Sequence, residues 1–296
     1  MESVWIWPHN KMTNEVSYNY EGFEQFFNEL YAPFKCVYFS RGRVALTNCI
    51  KLAKGERINQ VFVQPYSSHC VLSAVSKVST PLTIHPEESD FQIIYHSFGN
   101  KIIVDKKKYN NILIEDSVDS TIVTNNEDEL FPNGGRFTIF SLSKIFRIPF
   151  GGIVVCHKQV DYDNLCQLRN ESNKFTQTEN LLITNTLFSD TVIDNQSKLT
   201  VSGWDYNKVK NEFYTVKEII ENNIEFVNKK LGLQVINNKE RLPSNLIFEN
   251  SSMVQKMYEE VLVEVKERHI YDYNAQKNKN VCLFPVHAGY DTNSLK

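Results

Sequence analysis

The sequence predicts an α/β fold, a mostly parallel central sheet sandwiched by helices, followed by a smaller C-terminal α+β domain. Three observations point there. Six short runs rich in Ile and Val recur before residue 156. They are apolar on both faces, as strands covered by helices on both sides must be. Segments with helical apolar spacing lie between several of them. From about residue 205 the texture changes to one long amphipathic stretch followed by short strand-like runs. A soft boundary near residue 200 divides the chain into a large domain, 1–200, and a small one, 201–296.

Residues 22–31 (GFEQFFNELY) read as the first helix. After Gly42, the stripe Ala45, Leu46, Cys49, Ile50 and Ala53 predicts a second, and Val71, Leu72, Val75 and Val78 a third after Pro65. The six strand runs are Val61-Phe62-Val63, Gln92 to Tyr95, Ile102-Ile103-Val104, Ile112-Leu113-Ile114, Phe137 to Phe140 and Gly152 to Val155. Residues 206–231 predict a long helix with Val209, Phe213, Val216, Ile220, Ile224 and Val227 inward, stopped by Gly232. Leu233 to Ile236 and Asn245 to Phe248 read as strands. Ser251-Ser252 would cap a helix carrying Met253, Met257, Val261 and Val265, and Val281 to Phe284 is a last strand.

At 296 residues the chain can hold one large domain or two that share a core. Its net charge of −3 and scattered Lys/Arg argue against a nucleic-acid surface. No run approaches the roughly 18 apolar residues of a membrane span. Met1 to Pro8 lacks the basic start and long apolar stretch of a secretion signal, so a cytoplasmic protein is expected. The six cysteines, Cys36, Cys49, Cys70, Cys156, Cys166 and Cys282, show no CxxC spacing and read as reduced thiols, mostly buried.

Four stretches could carry chemistry. Ser40-Arg41-Gly42-Arg43-Val44 precedes a helix, whose amides and dipole could hold a phosphate. His69, after the strand at 61–63, could stack on a flat ligand. Glu115, Asp116 and Asp119 close an apolar strand, with Asp116 expected to be partly buried; no HxH or HxxE pattern accompanies them, so no metal is expected. Ser141 and Ser143 precede Lys144, which sits in an apolar run that continues to Gly151-Gly152. Desolvation disfavours a charged lysine, and a neutral amine can form a Schiff base.

Singly, each stretch has an ordinary explanation: a turn, a histidine at a helix start, a solvated turn, a snorkelling lysine. Together, and in this order, they supply a phosphate cradle, a stacking ring, an acid for a ring nitrogen and an amine for an aldehyde. Pyridoxal 5'-phosphate needs all four.

The chain resembles fold-type-I pyridoxal-phosphate enzymes, and among them the DegT/StrS-type nucleotide-sugar aminotransferases. SRGRVAL (40–46), VFVQPYSSH (61–69), IIYHSFG (93–99), ILIEDSVDS (112–120), FSLSK with FGGIVV (140–155) and LFPVHAGY (283–290) carry the resemblance. It implies that Lys144 forms the Schiff base and then moves the proton, and that Asp116 pairs with the pyridine nitrogen. It places His69 at the ring-stacking position. Asp119 falls where the family usually has Gln or His near the ring hydroxyl. Gly42, Arg43, Val44 and Ser141 match phosphate-binding positions, and His287 matches the histidine of a P-x-H motif. Arg147 is a candidate for a substrate carboxylate or phosphate.

The family's loop that donates an Asn across the dimer interface has only a partial match in Gly203-Trp204-Asp205-Tyr206-Asn207, and the stretch after Gly152 is short for the family. The resemblance implies a homodimer that transfers an amine from an amino acid, glutamate foremost, to a nucleotide-linked keto-sugar. Such chemistry serves polysaccharide and O-antigen biosynthesis. Two alternatives stand beside it. One is a different pyridoxal-phosphate reaction, such as a lyase or a desulfurase; for the latter Cys70 is the nearest cysteine, expected to point into helix packing. The other is a non-catalytic cofactor- or sugar-binding protein.

Overall fold

The computed structural model describes residues 21–53, 59–148, 151–172, 204–231, 238–248 and 266–289. Their elements run α1 (Glu21–Leu30), β1 (Lys35–Phe39), α2 (Gly42–Leu52), β2 (Gln60–Phe62), α3 (His69–Ser76), β3 (Thr80–Leu82), β4 (Phe91–Tyr95), β5 (Ile112–Asp116), β6 (Ser120–Ile122), α4 (Glu127–Leu130), β7 (Phe137–Ser141), α5 (Leu142–Ile145), β8 (Gly152–Cys156), α6 (Gln159–Ser172), α7 (Tyr206–Leu231), β9 (Arg241–Pro243), β10 (Asn245–Phe248), β11 (Lys266–Asp272) and β12 (Lys277–Pro285).

Seven strands form the central sheet in the order β1-β8-β7-β5-β4-β2-β3. β3, β2, β4, β5 and β7 pair in parallel. β8 runs antiparallel to both of its neighbours, β1 and β7. Alternation along the strands sorts side chains to two faces. Val37, Phe39, Phe137, Ile139 and Val154 pack with α2, α3 and α6 through Leu46, Ile50, Val75 and Leu165. Cys36, Phe140, Ile153 and Val155 pack with α1 and α7 through Phe23, Phe27, Phe213 and Ile224. Both faces of the sheet are therefore covered, which is why these runs carry no polar alternation.

Five of the six expected runs become strands. Ile102-Ile103-Val104 does not: its amides go to side chains, Ile102 N to His96 Nδ1 (3.0 Å) and Val104 N to Asn133 Oδ1 (2.9 Å). β4 meanwhile pairs directly with β5, leaving no place between them. The long helix is found at 206–231, as its apolar period predicts, and the expected strands at 245–248 and 281–284 lie within β10 and β12. The expected strand at 233–236 and the helix after Ser251 lie outside the described residues.

The C-terminal elements share the core of the large sheet. Phe23 stacks on Trp204 (5.3 Å between centroids), and Phe26 meets Phe213 (5.0 Å). β9 pairs with β6, just after β5, and β10, β12 and β11 form a second sheet. Between β9 and β10, the Ser244 amide donates to both the Phe98 and the Asp119 carbonyls at 3.0 Å, which ties this segment to the tips of β4 and β5.

Candidate active site

Because β4, β5 and β7 are parallel, their C-terminal ends share one edge, where Tyr95 pairs with Asp116 and Asp116 with Ile139. Ligands of open α/β sheets bind at that edge. Antiparallel β8 brings its first residue to the same place, so that Gly152 lies between Phe39 and Ser141. A cavity of about 600 Å³ opens there. Arg41, Gly42, Arg43, Tyr66, Cys70, Tyr95, Asp116, Asp119, Ser141, Ser143 and Lys144 line it, together with Arg268 to Tyr271 of β11.

One end suits an anion. α2 starts at Gly42 with no side chain capping it, and the Arg41 carbonyl takes the amides of Val44 (3.1 Å) and Ala45 (3.0 Å). A Cβ at Gly152 would lie 2.7 Å from Gly42 N and 2.8 Å from the Arg41 carbonyl carbon, so only glycine lets this turn rest on β8. The Arg41 Nη2 is buried without a hydrogen-bond partner. Burial, and then the neighbouring Arg43, lower the pKa of the Arg41 guanidinium. An orphaned buried donor beside a helix N-terminus is matched by a phosphate.

The other end holds the acid and the amine. Successive residues of β5 face opposite sides. Glu115 turns away from the cavity: burial raises its pKa, but the His96 ring (3.0 Å) and the Asn133 side chain and amide outweigh this and hold it below the usual range. Asp116 faces the cavity and is 5% exposed. Burial pushes its carboxyl up to about 7; the Lys144 charge opposes the shift and Asp119 adds to it.

Lys144 departs from the expectation of a desolvated lysine in an apolar run. β7 ends at Ser141, and Lys144 sits on the single turn of α5. Its side chain is 33% exposed, and its Nζ donates to Asp119 Oδ1 at 2.6 Å. The Asp119 carboxylate is fully buried, and its other oxygen accepts from the Tyr95 hydroxyl.

Gly42, Arg43, Asp116, Asp119, Ser141 and Lys144 are thus brought together in one cavity. Val44 is not among its lining residues; it packs against the α2-side core. His69, exposed at the start of α3, is also outside the lining, whereas Tyr66, Ser67, Ser68, Cys70 and Val71 around it belong to it. His287 is buried elsewhere, with its Nδ1 accepting from the Gly289 amide (2.9 Å) and its carbonyl accepting from Asn223 (3.3 Å). Arg147 is half-buried, at φ 58°, outside the lining. Cys70 lines the cavity instead of pointing into helix packing. Trp204 is core, and Asp205 caps α7 through the Lys208 amide (2.8 Å), so the described part of 203–207 begins a helix.

Sequence reasoning missed Arg41 and Tyr95. Arg41 adjoins the Gly42 turn, and Tyr95 is the last residue of a recognised strand; position alone could have flagged both.

The residues at the two ends of the cavity fit pyridoxal phosphate: an unpaired guanidinium and helix start for the phosphate, a buried acid for the ring nitrogen, an amine for the aldehyde. The family described as "Putative PLP-dependent aminotransferase" matches residues 23–296. No curated protein matches the sequence. Three solved structures are similar in fold. The "Putative sugar aminotransferase Spr1654" of Streptococcus pneumoniae, in its PLP form, is 10% identical over 99% of this chain and 96% of its own, with TM-score 0.57. DesV of S. venezuelae is 13% identical over 92% and 85%, TM-score 0.54. A DegT DnrJ EryC1 StrS aminotransferase from Brucella abortus is 13% identical over 92% and 87%, TM-score 0.55. With nearly the whole chain matched and the cofactor's anchoring groups gathered in one cavity, the protein belongs to this family of PLP-dependent aminotransferases, on the fold-type-I scaffold shared by DegT/StrS-type sugar aminotransferases.

Proposed function

We propose that the protein moves an amino group from an amino acid, glutamate being the donor, to a keto-sugar carried on a nucleotide, acting as a cytoplasmic homodimer. The observation that carries this reading is the single cavity in which Lys144 and Asp116 stand at one end and the Arg41-Gly42 turn at the other. One structural neighbour is described as a "Putative sugar aminotransferase", which supports a sugar as the acceptor. No described helix is long and apolar enough to cross a membrane.

In this reading Arg41, the start of α2 and Ser141 hold the phosphate. Asp116 would keep a proton on the ring nitrogen, and Lys144 would hold the cofactor at its aldehyde. The bound cofactor supplies an electron-withdrawing ring that acidifies the carbon bearing the amine. Lys144 Nζ would serve as the base that takes the proton from that carbon and returns it. Asp119 faces the same amine and holds it in place.

Purified protein should be yellow and lose that absorbance with borohydride, and a panel of nucleotide keto-sugars should identify the acceptor. Lys144→Ala should lower transamination at least a thousandfold; full activity in this variant would refute the mechanism.

A second reading, desulfuration of cysteine, gains one observation: Cys70 lines the cavity, with its Sγ 2.8 Å from Ser68 Oγ. Alanine formed from cysteine, with sulfide released when a thiol reductant is supplied, and both lost in Cys70→Ala, would favour it.

A further inference from the structure

The directions of the hydrogen bonds behind Lys144 are fixed by chemistry. The Phe98 amide can only donate, and it does so to the Tyr95 hydroxyl oxygen at 3.1 Å. The hydroxyl proton therefore goes to Asp119 Oδ2. Asp119 Oδ1 takes the Lys144 ammonium at 2.6 Å. The result is a one-way chain: a backbone N–H fixes a phenol, the phenol fixes a carboxylate, and the carboxylate fixes the amine.

The start of the chain is held firmly. Phe98 is in the left-handed region at φ 54°, and Gly99 follows at φ 90°. Ser244 pins this turn with its amide (3.0 Å) and its hydroxyl (3.1 Å), both on the Phe98 carbonyl. The same amide reaches the Asp119 carbonyl. Tyr95 is itself fixed along its backbone, where its N–H donates to the Tyr273 hydroxyl at 2.8 Å.

We propose that Tyr95 is a positioning residue for the cofactor-holding amine: it locks the Asp119 carboxylate in the one orientation that grips Lys144. Burial, followed by Asp119, holds the Tyr95 phenol well above its ordinary pKa, so the donor proton stays in place at working pH. The other charged groups on the cavity wall are Asp116 at the end of β5, Arg41 and Arg43 at the start of α2, and Arg268 and His269 on β11. Of these, Asp116 also acts on both ends of the chain through its charge, attracting Lys144 and raising the Tyr95 phenol further.

The inference deepens the reading of Lys144 as the cofactor's anchor. Its test uses the full chain freed of cofactor, so that its failure is separable from failure of that reading. The rate at which Lys144 reacts with an amine-selective reagent, read by peptide mass spectrometry across pH, reports the midpoint at which the ammonium loses its proton. Asp119→Asn should lower this midpoint by about one pH unit or more, since an opposite charge in contact favours the charged form. Tyr95→Phe keeps the ring and should lower it by roughly half a unit, because the carboxylate is no longer held at its best distance. In the Asp119→Asn background, Tyr95→Phe should do nothing further, since its effect runs through Asp119. A Tyr95→Phe midpoint that stays or rises, or a shift of equal size in both backgrounds, overturns the proposal. Asp119→Glu tests the same claim with Tyr95 intact: a midpoint below wild type supports a carboxylate that must be held, and an unchanged or higher one overturns it.

Discussion

Asp116→Asn should stabilise the cofactor-free protein while removing the acid its cofactor needs. An unfolded aspartate titrates near 3.8, whereas burial holds Asp116 near 7 in the folded chain. Between those values the folded chain binds one proton more than the unfolded chain, so stability falls as pH rises through the window. At about 1.4 kcal/mol per pH unit, a window of roughly three units costs about 4 kcal/mol, all of it felt above pH 7 and none below 3.8. Asparagine carries no charge and escapes the penalty, although its amide gives back about 1–2 kcal/mol in unmet hydrogen bonds. The variant should therefore be about 2–3 kcal/mol more stable than wild type at pH 8. That advantage should disappear by about pH 5, where most of the charge penalty has gone. Urea unfolding of the stripped proteins at several pH values measures the difference directly. A wild-type-to-variant difference that is flat from pH 5 to 8, or that moves in favour of wild type as pH rises, would refute the assignment of Asp116 as a buried, strained acid.

Two further predictions concern the phosphate end. Gly152→Ala puts a methyl group against backbone atoms that cannot rotate away; it should cost about 1–3 kcal/mol in thermal unfolding and weaken cofactor binding in an absorbance titration. Arg41→Gln should leave stability within about 0.5 kcal/mol yet weaken pyridoxal phosphate about tenfold, with pyridoxal itself bound equally by both proteins. An equal loss for both ligands would show that Arg41 does not serve the phosphate.

Much of this arrangement was readable from the chain because strands buried on both faces leave a plain apolar signature. Five of six such runs became strands, and the 3.6-residue spacing of Val209 to Val227 marked α7 correctly. The four chemical stretches were readable because each follows or precedes such an element. What escaped depends on contacts distant in sequence. Asp119 and Lys144 are 25 residues apart, and only the adjacency of β5 and β7 brings them together. Arg41 looked like one of two arginines in a turn; its orphaned Nη2 is a fact of burial. β11 reads Lys-Glu-Arg-His-Ile-Tyr-Asp, mostly polar, with none of the pattern of a core strand, yet Arg268 to Tyr271 line the cavity. His69 was assigned by its position after a strand, but the helix start carries it outward while Tyr66, at φ 63°, stays in the cavity lining.

The reversed direction of β8 has a consequence for recognition. Gly152 is register partner to Phe39, which leads to the phosphate turn, and to Ser141, which leads to Lys144. Strand pairing, set long before any ligand arrives, acts as a caliper: it fixes the gap between the anion-binding jaw and the amine-bearing jaw. A molecule that spans this gap meets a template already at its final span, so little of its binding energy goes into reshaping the protein. One too short or too long can seat only one end at a time.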